Sequence, residues 1–228
     1  MHVATNRAFE SAVKENLPWI SPRNITLEPI GKNKNTGPAF AVFAASLAEM
    51  DPDAIGIVTP SDHWIGDLPA FRKNIVDGIL SAAQCGALVA FGIPPSRPEN
   101  GFGYIRKGRG VDGSPAMIAT EFIQKPDFSQ LLIETGDYLW NSGMYVFHAA
   151  SFRGMLEKYS PDLLSSVDVY LDLIRNGRTE DADEFYMAKM PRISIDHAVM
   201  ESAALFGDMS LIPLESEWSD IGVWEGIR

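Results

Sequence analysis

The chain has 228 residues, of which 46% are hydrophobic and 21% charged, and its formal net charge is -11. This composition is typical of a globular protein, and the length suffices to bury one large core. The acidic balance argues against a nucleic-acid-binding protein, because such proteins need a basic surface to neutralise phosphates. A small anionic ligand would therefore need local positive charge or a metal ion.

Cysteine usage and hydropathy indicate the compartment. Cys85 is the one cysteine, so no internal disulfide can form. Its small apolar neighbours predict a packed thiol and not a nucleophile. The first residues lack the regions of a secretory signal, and the longest uncharged apolar stretch, around 39–48, is too short to cross a bilayer. We expect a cytoplasmic protein with no membrane partner.

The first half of the chain alternates helices and strands. Residues 36–50 are predicted to form a helix that Thr36 caps and that is apolar almost all round. A strand over 54–59 follows, and then an amphipathic helix that Asp67 caps and Gly86 ends. A second apolar strand covers 87–93. Strand, helix and strand in this order predict parallel strands in a layered α/β domain.

The pattern changes after residue 93. "AMIATEFIQKP" (116–126) predicts a strand, and "WNSGMYVF" (140–147) predicts a turn entering a strand. Residues 150–206 are mainly helical in pattern, and 209–214 return to strand. We predict one α/β domain over 1–228, with a Rossmann-like layered fold, a mixed and mainly parallel sheet, and helices on both faces.

Polar loops at the strand ends are the candidate site. Each has an ordinary explanation, because Ser61 and Asp62 suit a turn, "NSG" has turn chemistry, and Ser219 with Asp220 can cap a final helix. As a set they favour a ligand site. Asp62 and Asp220 both follow predicted strands, so both can reach one rim of the sheet, where two carboxylates and a ligand's phosphates suit Mg²⁺. In such a site Asn141 suits sugar hydroxyls and Lys125 suits a phosphate.

Seven segments occur in an order that resembles a known family: "LEPIGKNKNTGPAFAVFAA", "VTPSDHWIGD", "FGIPPSRPENGFGYI", "FIQKPD", "YLWNSGMYVF", "ISIDHAVMES" and "EWSDIGVW". Together they resemble the sugar-1-phosphate nucleotidyltransferases, over nearly the whole chain. The resemblance is greatest to the mannose-1-phosphate guanylyltransferases (GDP-mannose pyrophosphorylases) of the bacterial type.

The resemblance implies transfer of a guanylyl group from GTP to mannose 1-phosphate, giving GDP-mannose and pyrophosphate. It assigns Asp62 and Asp220 to Mg²⁺ and Lys125 to the sugar phosphate, and it makes these three residues the catalytic ones. His63 is expected to position other groups. The residues it places at the sugar are Gly103, Tyr104, Gln124, Asn141 and Gly143. The residues it places at the nucleotide are Glu28, Pro29, Asn35, Thr36, Pro60 and Ser61.

The sequence departs from the family in a few places. Relatives open with a strand and a glycine-rich loop that binds the triphosphate, and no such segment is found here. We therefore expect a catalytic domain truncated at its N-terminus and ending before any C-terminal domain. Gln124 stands where the family usually has Glu, which removes a charged acceptor for sugar hydroxyls. His197 replaces the common Tyr, and the "GKNKNTGPA" loop is two residues longer than usual.

Two alternatives to this function remain open from the sequence. One is an inactive or partner-dependent fragment that binds sugar phosphate only. The other is a nucleotidyltransferase for another sugar 1-phosphate. A homo-oligomer is also left open, and no nucleic-acid partner is expected.

Overall fold

The computed structural model describes residues 1–21, 25–29 and 34–221. Within them lie ten strands: Val3–Asn6 (β1), Ile25–Glu28 (β2), Ile55–Val58 (β3), His63–Ile65 (β4), Leu88–Ile93 (β5), Gly103–Gly110 (β6), Met117–Gln124 (β7), Tyr138–His148 (β8), Met209–Pro213 (β9) and Trp218–Asp220 (β10). Eight α-helices lie in the same residues: Glu10–Asn16 (α1), Thr36–Met50 (α2), Leu68–Cys85 (α3), Ser129–Thr135 (α4), Ala149–Tyr159 (α5), Pro161–Arg175 (α6), Thr179–Lys189 (α7) and Glu201–Leu205 (α8). A 3₁₀ turn covers Arg7–Phe9, and a π-helical turn covers Asp196–Met200.

The central sheet has six strands in the order β3-β8-β5-β9-β7-β6, and β6 also pairs with β8. The prediction of a mixed α/β sheet is confirmed. Fewer neighbouring strands are parallel than predicted, because β8 runs antiparallel between β3 and β5. Among the described residues of this sheet, β5 with β9 is the one parallel ladder. Strands β3 and β5 still point the same way, as the helix between them requires.

Helices cover both faces of this sheet, as predicted. Side chains along a strand alternate between its faces, so Leu88 and Ala90 of β5 enter one core, and Val89 and Phe91 enter the other. The first core is closed by residues of α2, α5, α6, α7 and α8, and the second by residues of α3 and α4. The two cores fix the sheet from both sides.

The predicted helices of the first half are confirmed, with two local corrections. Asn35 caps α2 instead of Thr36, and its side chain accepts from the Thr36 N–H. The Thr36 hydroxyl accepts instead from the Ile195 N–H. Asp67 caps α3 by accepting from the Ala70 N–H, as predicted. Cys85 is exposed at the end of α3 and is not packed. None of the described helices is long and apolar enough to cross a membrane.

The "NSG" segment is not a turn. It lies inside β8, which runs without interruption over 11 residues. The ladder with β5 shifts register between Ala90 and Gly92, so β8 carries a bulge there. Gly143 has a φ of 70°, which a residue with a side chain adopts only under strain. The turn-forming residues therefore bend a strand beside the site.

Asp208, which precedes β9, gives the fold a pH-dependent contact. Its carboxylate accepts from the Tyr159 hydroxyl at 2.5 Å and from Lys158 Nζ at 2.9 Å. The hydrogen bond from Tyr159 holds the pKa of Asp208 below its usual value of 3.8. A carboxyl whose pKa is lower in the folded state stabilises the protein above its unfolded-state pKa, and this contribution is lost as the pH falls through the folded pKa.

Replacing Asp208 by Asn is expected to lower the free energy of unfolding by about 1 kcal/mol at pH 7, since the partly exposed group is screened by solvent. The difference from the parent protein should shrink as the pH falls below about 4. Urea unfolding at pH 7, 4 and 3 measures it, with Asp112→Asn, an exposed aspartate, as the control. A difference that grows towards low pH would contradict this reading of Asp208.

Candidate active site

The antiparallel ladder between β4 and β10 brings Asp62 and Asp220 together. Asp220 pairs directly with His63, and the Ile221 N–H donates to the Asp62 carbonyl at 3.1 Å. The backbones of the two aspartates are thus neighbours although they are far apart in sequence. Asp220 lines the cavity described below, whereas Asp62 is not among its lining residues. Ser219 and Asp220 lie in β10, and the alternative in which they cap a final helix depends on residues beyond 221. Residues 222–228, including Val223 and Trp224, lie outside the described residues.

A cavity of about 160 Å³ opens beside this ladder. Predicted site residues from four separate loops and strands line it together with their neighbours: Pro60, His63, Gly101, Phe102, Gly103, Gln124, Lys125, Asn141, Ser142, Gly143, Trp218 and Asp220. The set combines a carboxylate, a cation, two side-chain amides and two aromatic walls. That mixture suits a polar, anionic ligand.

His63 is held as a neutral ring at this rim. Trp218 Nε1 donates to His63 Nδ1 at 3.1 Å, so the ring proton belongs on Nε2. Burial lowers the pKa of His63, and the nearby carboxylates of Asp220 and Asp62 only partly offset that effect. Both aspartates therefore lie near enough to this imidazole to act on it electrostatically.

Gly103 and Gln124 pair across β6 and β7 at the floor of the cavity. A Cβ on Gly103 would lie 2.8 Å from Gln124 Oε1, closer than side-chain carbons tolerate. The glycine is needed because the amide oxygen occupies that space. Gln124 Oε1 thus offers the cavity a hydrogen-bond acceptor above Gly103.

Asn141 is oriented by its own strand. Its Oδ1 accepts from the Gly143 N–H at 3.1 Å, and its Nδ2 donates to the Tyr145 hydroxyl at 2.9 Å. The hydroxyl of the next residue, Ser142, donates to the Phe91 carbonyl and fixes the bulge. A Cβ on Gly143 would lie 3.3 Å from Pro60 Cγ, so the bulge also packs against the loop after β3.

Lys125 is the basic side chain of the cavity lining. It is exposed, and it adopts a φ of 48°, in the left-handed region, immediately before Pro126. Such strain in a residue other than glycine is found most often at functional sites. The conformation presents an ammonium group at the mouth of a cavity in an otherwise acidic protein.

Tyr104 is not part of the cavity. Its side chain is fully buried in the second core, and its hydroxyl donates to the Glu99 carbonyl at 3.0 Å. The same oxygen accepts from the Glu99 N–H and from Trp140 Nε1. Adjacent strand residues face opposite sides, so Tyr104 must point away from the site that Gly103 lines.

Of the residues predicted at the nucleotide, Pro60 lines the cavity and Ser61 is exposed beside it. The other four lie outside the lining. The Glu28 carboxylate accepts from the Tyr186 hydroxyl, the Pro29 carbonyl accepts from Asn6, and Asn35 and Thr36 form the start of α2. The Thr36 hydroxyl accepts from the N–H of Ile195. Residues 30–33 of the same loop lie outside the described residues.

Sequence reasoning missed Asp196, Phe102 and Trp218. Asp196 accepts from Gln124 Nε2 at 3.0 Å and from the Tyr145 hydroxyl at 3.1 Å. Phe102 and Trp218 pack edge to face at 5.6 Å between ring centroids. Asp196 stands within the quoted "ISIDHAVMES" segment, but nothing in its spacing indicates that it faces β7 and β8.

Two carboxylates brought together would suit one hard cation. Asp62 and Asp220 offer carboxylate oxygens, which are the ligands that Mg²⁺ prefers. Within residues 1–21, 25–29 and 34–221, no group of three or more His, Cys, Asp or Glu side chains is placed to hold a metal ion. A cation at the two aspartates would thus take its other ligands from water or a phosphate, as Mg²⁺ commonly does.

A larger, open depression of about 600 Å³ lies next to this cavity. Its polar side chains bond to one another: Arg97 pairs with Glu99 at 3.3 Å, and the Ser129 hydroxyl donates to Asn100. The smaller cavity, with its cation and its oriented amides, is therefore the better candidate active site.

Comparison with known proteins agrees with this geometry. A mannose-1-phosphate guanylyltransferase, ManC, from Salmonella typhimurium strain LT2 is 39% identical over 99% of this chain and 48% of its own length. A mannose-1-phosphate guanylyltransferase of Escherichia coli strain K12 is 38% identical over the same shares. The chain thus spans about half the length of these curated relatives.

Solved structures show the same fold. The crystal structure of a mannose-1-phosphate geranyltransferase from Thermus thermophilus superposes with a TM-score of 0.80 at 27% identity, over 97% of this chain and 61% of that chain. A mannose-6-phosphate isomerase from Helicobacter pylori gives a TM-score of 0.77 at 29% identity, over 95% of this chain and 84% of that chain. The nucleotidyl transferase family model matches residues 3–228. The chain therefore belongs to the nucleotidyl transferase family.

Proposed function

We propose that this protein transfers the guanylyl group of GTP to mannose 1-phosphate, giving GDP-mannose and pyrophosphate. The observation that supports the proposal is the β4–β10 ladder, which joins the backbones of Asp62 and Asp220 beside the cavity that Lys125, Gln124 and Asn141 line, with Asp220 itself in the lining. The names of the guanylyltransferase relatives supply the substrate pair.

The reaction is a substitution at phosphorus. A phosphate oxygen of mannose 1-phosphate attacks the α-phosphorus of GTP, the bond from that phosphorus to the bridging oxygen breaks, and pyrophosphate leaves with the electron pair. The attacking phosphate is already an anion at neutral pH, so no general base is required. Alignment and charge neutralisation supply most of the rate. The neutral His63 fits a positioning role.

The residues divide the substrates by charge. Lys125 is placed to bind the phosphate of the sugar as a point charge. Gln124 and Asn141 offer amide groups to the hydroxyls of the sugar. Asp62 and Asp220 would hold Mg²⁺, which when bound neutralises and orients the phosphates. Without a cation there, two carboxylates would repel the triphosphate.

Pyrophosphate release tests the proposal. The 228-residue chain is incubated with Mg²⁺, GTP and mannose 1-phosphate, and reactions with ATP, UTP or glucose 1-phosphate serve as substrate controls. We expect release that requires all three components. Lys125→Ala should raise the KM for mannose 1-phosphate by about 30- to 100-fold, the value of one charge-assisted contact to a phosphate.

Lys107→Ala is the matched control, because this lysine lies on β6 outside the cavity lining. Its KM values should stay within about twofold of the parent. Absence of pyrophosphate in every reaction, or an unchanged KM in Lys125→Ala, would count against the assignment. Faster release with glucose 1-phosphate would favour another sugar.

A further inference from the structure

A half-buried carboxylate lies behind the sugar-facing wall of the cavity. Asp196 lies in the π-helical turn that follows α7, and it contacts two strands of the central sheet at once. One of its oxygens accepts from Gln124 Nε2 at 3.0 Å, and the other accepts from the Tyr145 hydroxyl at 3.1 Å. Tyr145 in turn accepts from Asn141 Nδ2 at 2.9 Å. The four side chains form one chain of hydrogen bonds.

The direction of each bond in this chain is fixed. An ionised carboxylate can only accept, so Gln124 must turn its NH₂ group towards Asp196. Its Oε1 then points the other way, to the space above Gly103 that a Cβ would otherwise fill. The Tyr145 hydroxyl must donate its proton to Asp196, so its oxygen is left to accept from Asn141. Reversing any one amide would set two donors or two acceptors against each other.

We propose that Asp196 is a positioning residue that locks the Gln124 amide so that the cavity presents a neutral hydrogen-bond acceptor to a hydroxyl of the sugar phosphate. The proposal rests on the proposed function for the identity of the ligand. It also gives a role to Gln124, which stands where the family usually has Glu: a neutral amide held by Asp196 keeps its oxygen facing the cavity.

The substitution Asp196→Asn tests the lock. Its amide can still accept from Tyr145, but its NH₂ group then faces Gln124, which must rotate and turn its own NH₂ group into the cavity. A sugar hydroxyl that donates would meet a donor. We expect the KM for mannose 1-phosphate to rise about 10- to 50-fold, the factor for one mismatched hydrogen bond, and the KM for GTP to stay within about twofold.

A compensating pair separates positioning from simple structural support. Gln124→Glu alone sets two carboxylates against each other, and the KM for mannose 1-phosphate should rise. In Gln124→Glu with Asp196→Asn, carboxylate and amide exchange places: every bond of the chain is again satisfied, and an oxygen faces the cavity. The double variant should recover to within about threefold of the parent KM. Asp112→Asn is the surface control.

Two readouts on these proteins keep this inference separate from the proposed function. If the double variant is no better than the worse single variant, in KM and in calorimetric binding of mannose 1-phosphate, the positioning role is overturned. Urea unfolding needs no substrate: each single change should lower the unfolding midpoint, and the double change should restore most of it. Strictly additive midpoints would also overturn the role. A different outcome would refute the proposed function alone: the double variant recovers its unfolding midpoint, but the parent protein neither binds mannose 1-phosphate nor releases pyrophosphate.

Discussion

Replacing Asp220 by Asn is expected to lower the kcat of pyrophosphate release by about 10³-fold, the loss typical when a main source of transition-state charge stabilisation is removed. The change keeps the shape of the side chain but removes the charge that would hold the cation. Since β10 pairs with β4 through backbone groups, this pairing should survive the change. Thermal melting of the variant should therefore match the parent closely.

Asp62→Asn should cause a loss of the same order, although Asp62 lies far from Asp220 in sequence. If both side chains hold one cation, the double variant should be scarcely worse than either single variant, because the second change removes nothing that still functions. Asp112→Asn should retain full activity. Losses that multiply in the double variant, or a variant with more than a tenth of the parent kcat, would show that the two carboxylates act separately.

Replacing Phe147 by Ala is expected to lower the free energy of unfolding by about 4 kcal/mol, within the range measured for buried aromatic residues. Its ring is fully buried, with ring centroids 4.7 Å from Phe152 and 5.4 Å from Phe40. It also covers Gly56 on the neighbouring strand, where a Cβ would lie 2.4 Å from the ring. Phe40 and Phe152 belong to separate helices, α2 and α5, so the space that Phe147→Ala leaves cannot close fully.

Urea unfolding followed by circular dichroism measures this loss, and Phe9→Ala provides the matched control. Phe9 is 61% exposed, so its removal should cost less than about 0.5 kcal/mol. A loss below about 1.5 kcal/mol for Phe147→Ala would show that the first core repacks. It would also contradict the arrangement in which an aromatic ring from β8 fills the space beside a glycine of β3.

The sequence predicts the parts of the fold that depend on neighbours along the chain. The amphipathic α3, its cap at Asp67 and its end at Gly86 follow from local chemistry, and all three are confirmed. The order of the strands does not follow from such patterns, because β8 enters between β3 and β5 only after several further elements of the chain. An antiparallel neighbour and a parallel neighbour leave the same apolar pattern on β5.

Local chemistry is also misleading where a strand passes the site. Asn141, Ser142 and Gly143 have the composition of a turn, yet they form the bulge of β8, since the paired strands on both sides outweigh the local preference. For Tyr104 it is the family resemblance that misleads. The resemblance assigns Tyr104 to the sugar, but the alternation of side chains along β6 directs it into the core. Asp196 could not be found from spacing, because its partners belong to two other strands.

The central claim is that Asp62 and Asp220 bind a single cation. A crystal structure of the protein with Mn²⁺, a non-hydrolysable GTP analogue and mannose 1-phosphate tests it most directly. We expect one anomalous peak at the β4–β10 ladder, about 2 Å from a carboxylate oxygen of each aspartate and from a phosphate oxygen. A bound cation that touches neither aspartate, or two cations each held by one of them, would contradict the account.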